Sequence, residues 1–73
     1  MITVQGYKNT NDSIMMVFDT KGIDEMIGYL NFIKTHDASM HLNIDNELDG
    51  EINDIDDGML IIPHLKVVNL DRL

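Results

Sequence analysis

An acidic stretch beginning at Asp45 holds the residues whose types and spacing come closest to metal chemistry. Residues 45–56 align with a twelve-residue calcium loop, with acidic or amide side chains at positions one, three, five, nine and twelve and Gly50 at position six. Calcium needs oxygens that converge within about 2.5 Å of the ion. However, Glu47 is unusual at position three, Asp56 is short for position twelve, and strand patterns flank the loop. A solvated acidic loop or anionic contact surface is therefore expected, with calcium binding as the alternative.

The same stretch concentrates the negative charge of the chain. It holds seven of the thirteen acidic residues and no basic residue; the acids are Asp45, Glu47, Asp49, Glu51, Asp54, Asp56 and Asp57. A dense anionic surface attracts and orients a partner that carries a basic surface. We predict that these seven side chains form a protein-binding surface, here called the acidic segment (residues 45–57).

The remaining polar residues give little support for catalysis. His36, His41 and His64 do not have a ligand spacing within one element, although His41 and His64 would meet if their strands paired and could then bind zinc with nearby carboxylates. Surface histidines on a half-exposed sheet are the preferred interpretation, and we expect no metal or cofactor. Ser13 and Ser39 have no evident base beside them, and the chain has no Cys to act as a nucleophile. We therefore predict a protein that is not an enzyme.

Length and charge narrow the class further. A chain of 73 residues forms one domain, residues 1–73, and buries only about 60% of its unfolded surface, which leaves little room for a deep cleft. A formal charge of −8 repels nucleic acid and anionic lipid. No apolar run approaches the roughly 20 residues of a membrane span, and no signal peptide pattern is seen. Without Cys, a reducing, cytoplasmic location is expected, with no direct nucleic-acid or membrane contact.

Several segments have strand patterns. Residues 2–5 and 14–18 predict a hairpin joined by a polar turn at 8–12. The unbroken apolar run 14–18 implies a strand covered on both faces, with another subunit as one source of that cover. Residues 39–44 alternate, which places Met40, Leu42 and Ile44 on one buried face. A last apolar region follows the acidic segment. Pro63 is expected to mark an edge, a bulge or a break in it, because proline cannot donate a ladder hydrogen bond.

A helix is predicted over residues 21–34. Asp19 or Thr20 can cap its first turn. Five apolar residues fall within about 120° of arc and are predicted to face the core: Ile23, Met26, Ile27, Leu30 and Ile33. Tyr29 and Phe32 lie outside this stripe, so we predict that they form a second interface. The alternative is that another part of the chain covers Phe32.

Together these elements predict an α+β domain. One amphipathic helix would pack on a mostly antiparallel sheet of four to five strands, in the order ββαββ. One helix cannot cover both faces of the strand at 14–18, and a small chain gains stability from a second subunit. A homodimer is therefore also expected.

Two local motifs carry a family resemblance. The run Phe18-Asp19-Thr20-Lys21-Gly22-Ile23 leads into a helix with Ile and Leu at core positions, and Ser39-Met40-His41-Leu42 follows it. Over residues 14–42 the sequence resembles a family of small immunity proteins from bacterial polymorphic toxin systems. The resemblance implies a ββαβ domain that neutralises a toxin by binding it. A phage-type nucleic-acid mimic that inhibits a DNA-binding protein, and a structural homodimeric or divalent-ion-binding module, are the alternatives.

Overall fold

In the part of the chain that the structure describes, five short strands and one long helix follow one another in the order ββαβββ. A computed structural model describes residues 1–7, 13–50 and 59–73 of the chain. The elements are β1 (Ile2–Tyr7), β2 (Ile14–Phe18), α1 (Thr20–Thr35), β3 (Ser39–Asn43), β4 (Met59–Ile61), β5 (His64–Val68) and a 3-10 turn at Leu70–Arg72. The α+β class is confirmed, and so is the split of the last strand around Pro63. The predicted turn at 8–12 lies outside the described residues.

The strands form two antiparallel sheets, so the prediction of one larger sheet was wrong. Sheet A has the order β2-β1-β4, and sheet B pairs β3 with β5. The division falls at Pro63. The Ile62 amide still donates to the carbonyl oxygen of Val4 at 2.8 Å, whereas the carbonyl oxygen of Pro63 accepts from the amide of Ile44, next to β3. Beyond it the chain leaves sheet A, and His64 pairs with Asn43 of β3.

Strand β1 is the buried centre of sheet A. Ile2, Thr3, Val4 and Gln5 are all at most 1% exposed, although they alternate between the two faces. Strand β2 lies at the edge instead, and Ile14 remains 60% exposed. In a single copy the described residues do not cover β2 on both faces, and the fully covered strand is β1. Cover of β2 by a second subunit stays a prediction.

Helix α1 begins at the predicted cap. The carboxylate of Asp19 accepts from the amide of Gly22 at 2.7 Å and from the Met1 ammonium group at 2.6 Å. The ammonium contact, followed by the Gly22 amide, lowers the pKa of Asp19 because both stabilise the charged carboxylate. At the other end, the His36 amide donates to the carbonyl oxygen of Phe32, and Lys34 in the last turn complements the helix dipole.

The core-facing side of α1 is rotated from the predicted stripe. Gly22, Met26 and Ile33 are buried, and Tyr29 packs against the core. Three residues of the predicted stripe are instead about half exposed: Ile23, Ile27 and Leu30. Gly22 explains the rotation, because a Cβ there would collide with the carbonyl group of Met1. Because glycine has no side chain, the helix can approach Met1 closely at residue 22. The side of the helix with residues 22, 26, 29 and 33 therefore faces the core.

The core lies between sheet A, sheet B and the helix. Its buried members are Ile2, Val4, Met26, Leu42 and Leu48, and Phe18, Tyr29, Met40, Ile62 and Leu65 pack against it. The predicted inward positions of Met40 and Leu42 are confirmed. Ile44 lies beyond the end of β3 and is 38% exposed, contrary to prediction. Within residues 1–7, 13–50 and 59–73, no helix is long and apolar enough to cross a membrane.

Replacing each helix glycine with alanine separates close packing from backbone flexibility. Gly22→Ala is expected to lower the free energy of unfolding by about 1–3 kcal/mol, because the new Cβ meets backbone atoms that cannot rotate away. Gly28→Ala is the matched control: no atom lies within 4 Å of its Cβ position, so it should stabilise by about 0.5–1 kcal/mol. Urea unfolding followed by circular dichroism measures both. Equal effects at the two sites would contradict the packing at Met1.

Truncating Met26 and Leu30 tests which side of the helix is buried. Met26 is 9% exposed and Leu30 48% exposed. We expect Met26→Ala to cost about 2–5 kcal/mol as a core truncation. At low micromolar protein, Leu30→Ala should cost less than about 1 kcal/mol, because much of its side chain is already in water. Chemical unfolding gives both values, and a larger loss at Leu30 would restore the predicted stripe.

Candidate protein-binding site

The start of the acidic segment is held in a tight turn after β3. The carbonyl oxygen of Asn43 accepts from the amides of Asn46, at 3.0 Å, and Leu48, at 2.8 Å. Leu48 inserts its side chain into the core and is only 2% exposed. A single buried leucine in a polar stretch therefore fixes the turn against the body of the protein, although sequence patterning did not single it out.

Asp49 joins this turn to the central strand. Its amide donates to the carbonyl oxygen of Ile2 at 2.8 Å, and its carboxylate accepts from the amide of Ile2 at 2.9 Å. The residue thus satisfies both backbone groups at the start of β1, on the side where β4 pairs further along. Asp49 was predicted as a partner contact, but one oxygen of its carboxylate has a structural role.

Glu47 is also engaged within the protein. One carboxylate oxygen accepts from the amide of Asn43 at 3.0 Å, which closes the end of β3. Asp45 is exposed, and its side chain has no hydrogen bond to the other described residues. Of the three described acids in the segment, Asp45 is therefore the one most available to a partner. The other four predicted contacts, Glu51, Asp54, Asp56 and Asp57, lie outside the described residues.

The same contacts bear on calcium binding. In the aligned calcium loop, Glu47 and Asp49 occupy positions three and five, whose oxygens should turn toward a common ion. Here both carboxylates are directed to different backbone amides, those of Asn43 and Ile2. Among residues 1–7, 13–50 and 59–73, no three His, Asp or Glu side chains form a group that could hold a metal ion. The described part of the segment is therefore organised as a structural turn.

His41 and His64 meet on sheet B, as predicted for the case in which their strands pair. Strands β3 and β5 are antiparallel neighbours, with His41 opposite Lys66 and His64 opposite Asn43. The histidine rings stack with centroids 4.8 Å apart, and Nδ1 of His41 lies 2.6 Å from Nε2 of His64. At that distance one ring nitrogen donates and the other accepts. The two facing nitrogens are thus occupied with each other, and the pair links the exposed side of the two strands.

The aromatic residues of the second predicted interface have different surroundings. Phe32 is 41% exposed and stacks on His36, with centroids 5.5 Å apart and rings within 4° of parallel. Tyr29 packs against the core instead. Burial, followed by the nearby carboxylates of Glu25 and Glu47, raises the pKa of Tyr29 because each disfavours the phenolate. Phe32 therefore remains available at the surface, whereas Tyr29 mainly supports the fold.

An apolar surface absent from the sequence-based site lies along β2 and α1. Its members are Ile14, Met16, Ile23, Ile27 and Leu30, which are 37–60% exposed. Sequence reasoning placed all of them inside, because apolar strands and stripes usually face a core. The available signal was the spacing of Gly22, Met26, Tyr29 and Ile33, which describes a competing helix face with a glycine at its point of closest approach.

Alanine substitutions distinguish structural from exposed carboxylates in the turn. Asp49→Ala removes the acceptor for the partly buried amide of Ile2, and should lower the free energy of unfolding by about 1–3 kcal/mol. Asp45→Ala is the matched control one turn earlier and should change stability by less than about 0.5 kcal/mol. Thermal or urea unfolding measures both changes. Indistinguishable stabilities would contradict the link between Asp49 and β1.

The described residues of the candidate site provide charged and apolar surface that a partner could contact. Its described parts are a fixed turn that carries exposed Asp45, a stacked histidine pair and a half-exposed apolar surface. Comparison with known proteins adds no further guide, since no protein-family model, no curated protein and no solved structure matches the chain.

Proposed function

We propose that the protein is a non-enzymatic binding module whose acidic segment contacts a partner protein with a basic surface. The observation that carries the proposal is the concentration of seven acidic residues, with no basic residue, between Asp45 and Asp57. Charge of one sign raises the rate of encounter with an oppositely charged surface and orients the two molecules.

The surroundings of the segment support this role. Among residues 1–7, 13–50 and 59–73, the ion pair that forms joins the Met1 ammonium group to Asp19, and no lysine or arginine of these ranges pairs with Asp45, Glu47 or Asp49. Like charges held close together repel one another, which costs stability. A protein that keeps such a segment uncompensated is suited to a partner that supplies the opposite charge.

The anchoring of the segment supports binding as well. Leu48 and Asp49 attach its first part to the core and to β1. A charged segment that starts from a fixed base is partly preorganised, so less conformational entropy is lost when a partner binds. Glu47 and Asp49 then position the segment, while Asp45 and the acids beyond residue 50 are the proposed contacts.

Neutralisation of a toxin is our preferred form of this function, following the resemblance over residues 14–42. An immunity protein would bind the basic active-site region of its toxin and block it. A nucleic-acid mimic would use the same acidic segment against a DNA-binding protein. The identity of the captured partner separates these two forms, because a toxin supports neutralisation and a DNA-binding protein without toxin activity supports the mimic.

Neutralising two proposed contacts provides the test. In Asp54→Asn/Asp56→Asn, the formal charge changes from −8 by two units within the segment. Wild-type and variant chains are immobilised, basic proteins of the host lysate are captured, and association with each purified candidate is measured. We expect the association rate of the cognate partner to fall about three- to tenfold in the variant, and the wild-type rate to fall about tenfold between 50 and 500 mM salt.

Asp24→Asn/Asp71→Asn is the matched control. It changes the formal charge by the same two units at exposed positions in α1 and the 3-10 turn. This variant should retain most of the wild-type association rate, since its charges lie outside the segment. A partner that binds both variants equally, at low and high salt alike, would contradict the acidic segment as the contact and would redirect attention to Phe32.

A further inference from the structure

The outer edge of β2 has backbone groups directed away from sheet A. On β1, the carbonyl oxygens of Ile2 and Val4 accept from Asp49 and Ile62, so even-numbered residues bond toward the β4 side. The odd-numbered residues Thr3 and Gln5 must then bond toward β2, where their partners are Val17 and Met15.

Backbone polar groups alternate between the two edges of a strand from one residue to the next. Because Met15 and Val17 bond to β1, the N–H and C=O groups of Ile14, Met16 and Phe18 point to the opposite edge. No described strand pairs with that edge. It therefore presents three donors and three acceptors in a regular row.

The edge also lacks the features that usually prevent strand pairing. Natural sheets protect exposed edges with lysine, proline, bulges or very short strands. Strand β2 has five residues, Ile-Met-Met-Val-Phe, without a charge, proline or glycine, and its register with β1 runs without interruption from Ile14 to Phe18. Such an edge is a template for another strand.

Apolar side chains adjoin this edge on the helix side of the sheet. Ile14 and Met16 pair across from Gly6 and Val4, so they share the face on which Val4 enters the core. On α1, the positions after Gly22 and Met26 are rotated by about 100° from the core-facing line. Helix α1 starts beside Met1, follows β2 directly in the chain and contacts it. Ile23, Ile27 and Leu30 form this flank and are 48–52% exposed.

The charge distribution permits a second copy at this edge despite the net charge of −8. The described part of the acidic segment meets β1 through Asp49, on the edge opposite β2. Repulsion between two copies joined at β2 is thereby reduced, since the separation approaches or exceeds the screening length of about 8 Å at physiological salt.

The area is also of the size that a dimer needs. Five aliphatic side chains at 37–60% exposure present roughly 500 Å² in all, within the range of about 300–600 Å² for the largest apolar patch of a monomer, which often has a function. Strand pairing adds the backbone and Phe18 to this surface. The total approaches the roughly 800 Å² that each partner buries in a standard interface.

We propose that two copies of this chain pair through β2 in an antiparallel register centred on Met16, which joins the two A sheets into one of six strands. This register places Met16 opposite Met16 of the second copy and Ile14 opposite Phe18. All three outward residues then exchange hydrogen bonds, six in total, because each directly faces another outward residue. The two helix flanks lie on the same side of the joined sheet.

Sedimentation equilibrium and disulfide trapping test the proposal. At 100 μM the mass should approach twice 8.3 kDa.

The chain has no Cys, so a single introduced Cys reports the register. Under mild oxidation, Met16→Cys should form a covalent dimer, because paired residues bring their Cα atoms to about 5.5 Å. Ile14→Cys is the control: in this register its copies are four residues apart along the strands, beyond disulfide reach, although Ile14 is more exposed than Met16.

Ile27→Lys tests the helix flank, and Leu70→Lys introduces the same charge at an 81% exposed leucine outside it. Ile27→Lys should raise the dimer dissociation constant at least tenfold, while Leu70→Lys leaves it within about twofold. Circular dichroism should be unchanged in both, since neither side chain is buried.

A mass of 8.3 kDa at 500 μM, or trapping of Ile14→Cys as efficient as that of Met16→Cys, would overturn the proposal. Neither result bears on the acidic segment, so the two proposals fail separately.

Discussion

Satisfying the backbone of one buried strand organises this protein. Residues 2–5 of β1 are nearly inaccessible to water, so their amide and carbonyl groups need partners within the chain. Those partners come from β2 on one edge and from Asp49, Ile62 and β4 on the other. The need to hydrogen-bond these buried backbone groups thus brings together segments that are far apart in sequence. The turn that carries the acidic segment is placed by the same requirement, because Asp49 bonds to the first residue of the strand.

Local features of the fold were predictable, whereas their assembly was not. The cap at Asp19, the length of the helix and the alternation of Met40 and Leu42 depend on neighbouring residues, and each appears as predicted. The division into two sheets depends on which strand β5 meets after Pro63, a choice between distant partners that periodicity does not encode. The rotation of the helix depends on the approach of Gly22 to Met1, and an apolar stripe gives no information about which of two flanks is covered.

The candidate site shows the same contrast between local features, which were predictable, and tertiary contacts, which were not. We predicted that His41 and His64 would meet if their strands paired. Strands β3 and β5 do pair, and the two side chains are in contact. The acidic segment was recognised from charge density alone, which treats all carboxylates as equivalent. In the structure Glu47 and Asp49 accept from backbone amides, so they differ from Asp45 in role although not in charge. The role of Asp49 depends on a contact with a residue 47 positions away, and that of Glu47 on the turn that follows β3, so composition reveals neither role.

The position of β1 in the chain has a consequence for how the protein is made. The central strand is synthesised before Asp49 and residues 59–62, which complete one of its edges. During translation the hairpin of β1 and β2 therefore emerges with an incomplete sheet, and contacts of long sequence separation form late. Until then the apolar edges of the hairpin are open to wrong partners. A ribosome-associated chaperone that shields the nascent hairpin would thus act in the interval between emergence of residue 18 and emergence of residue 62.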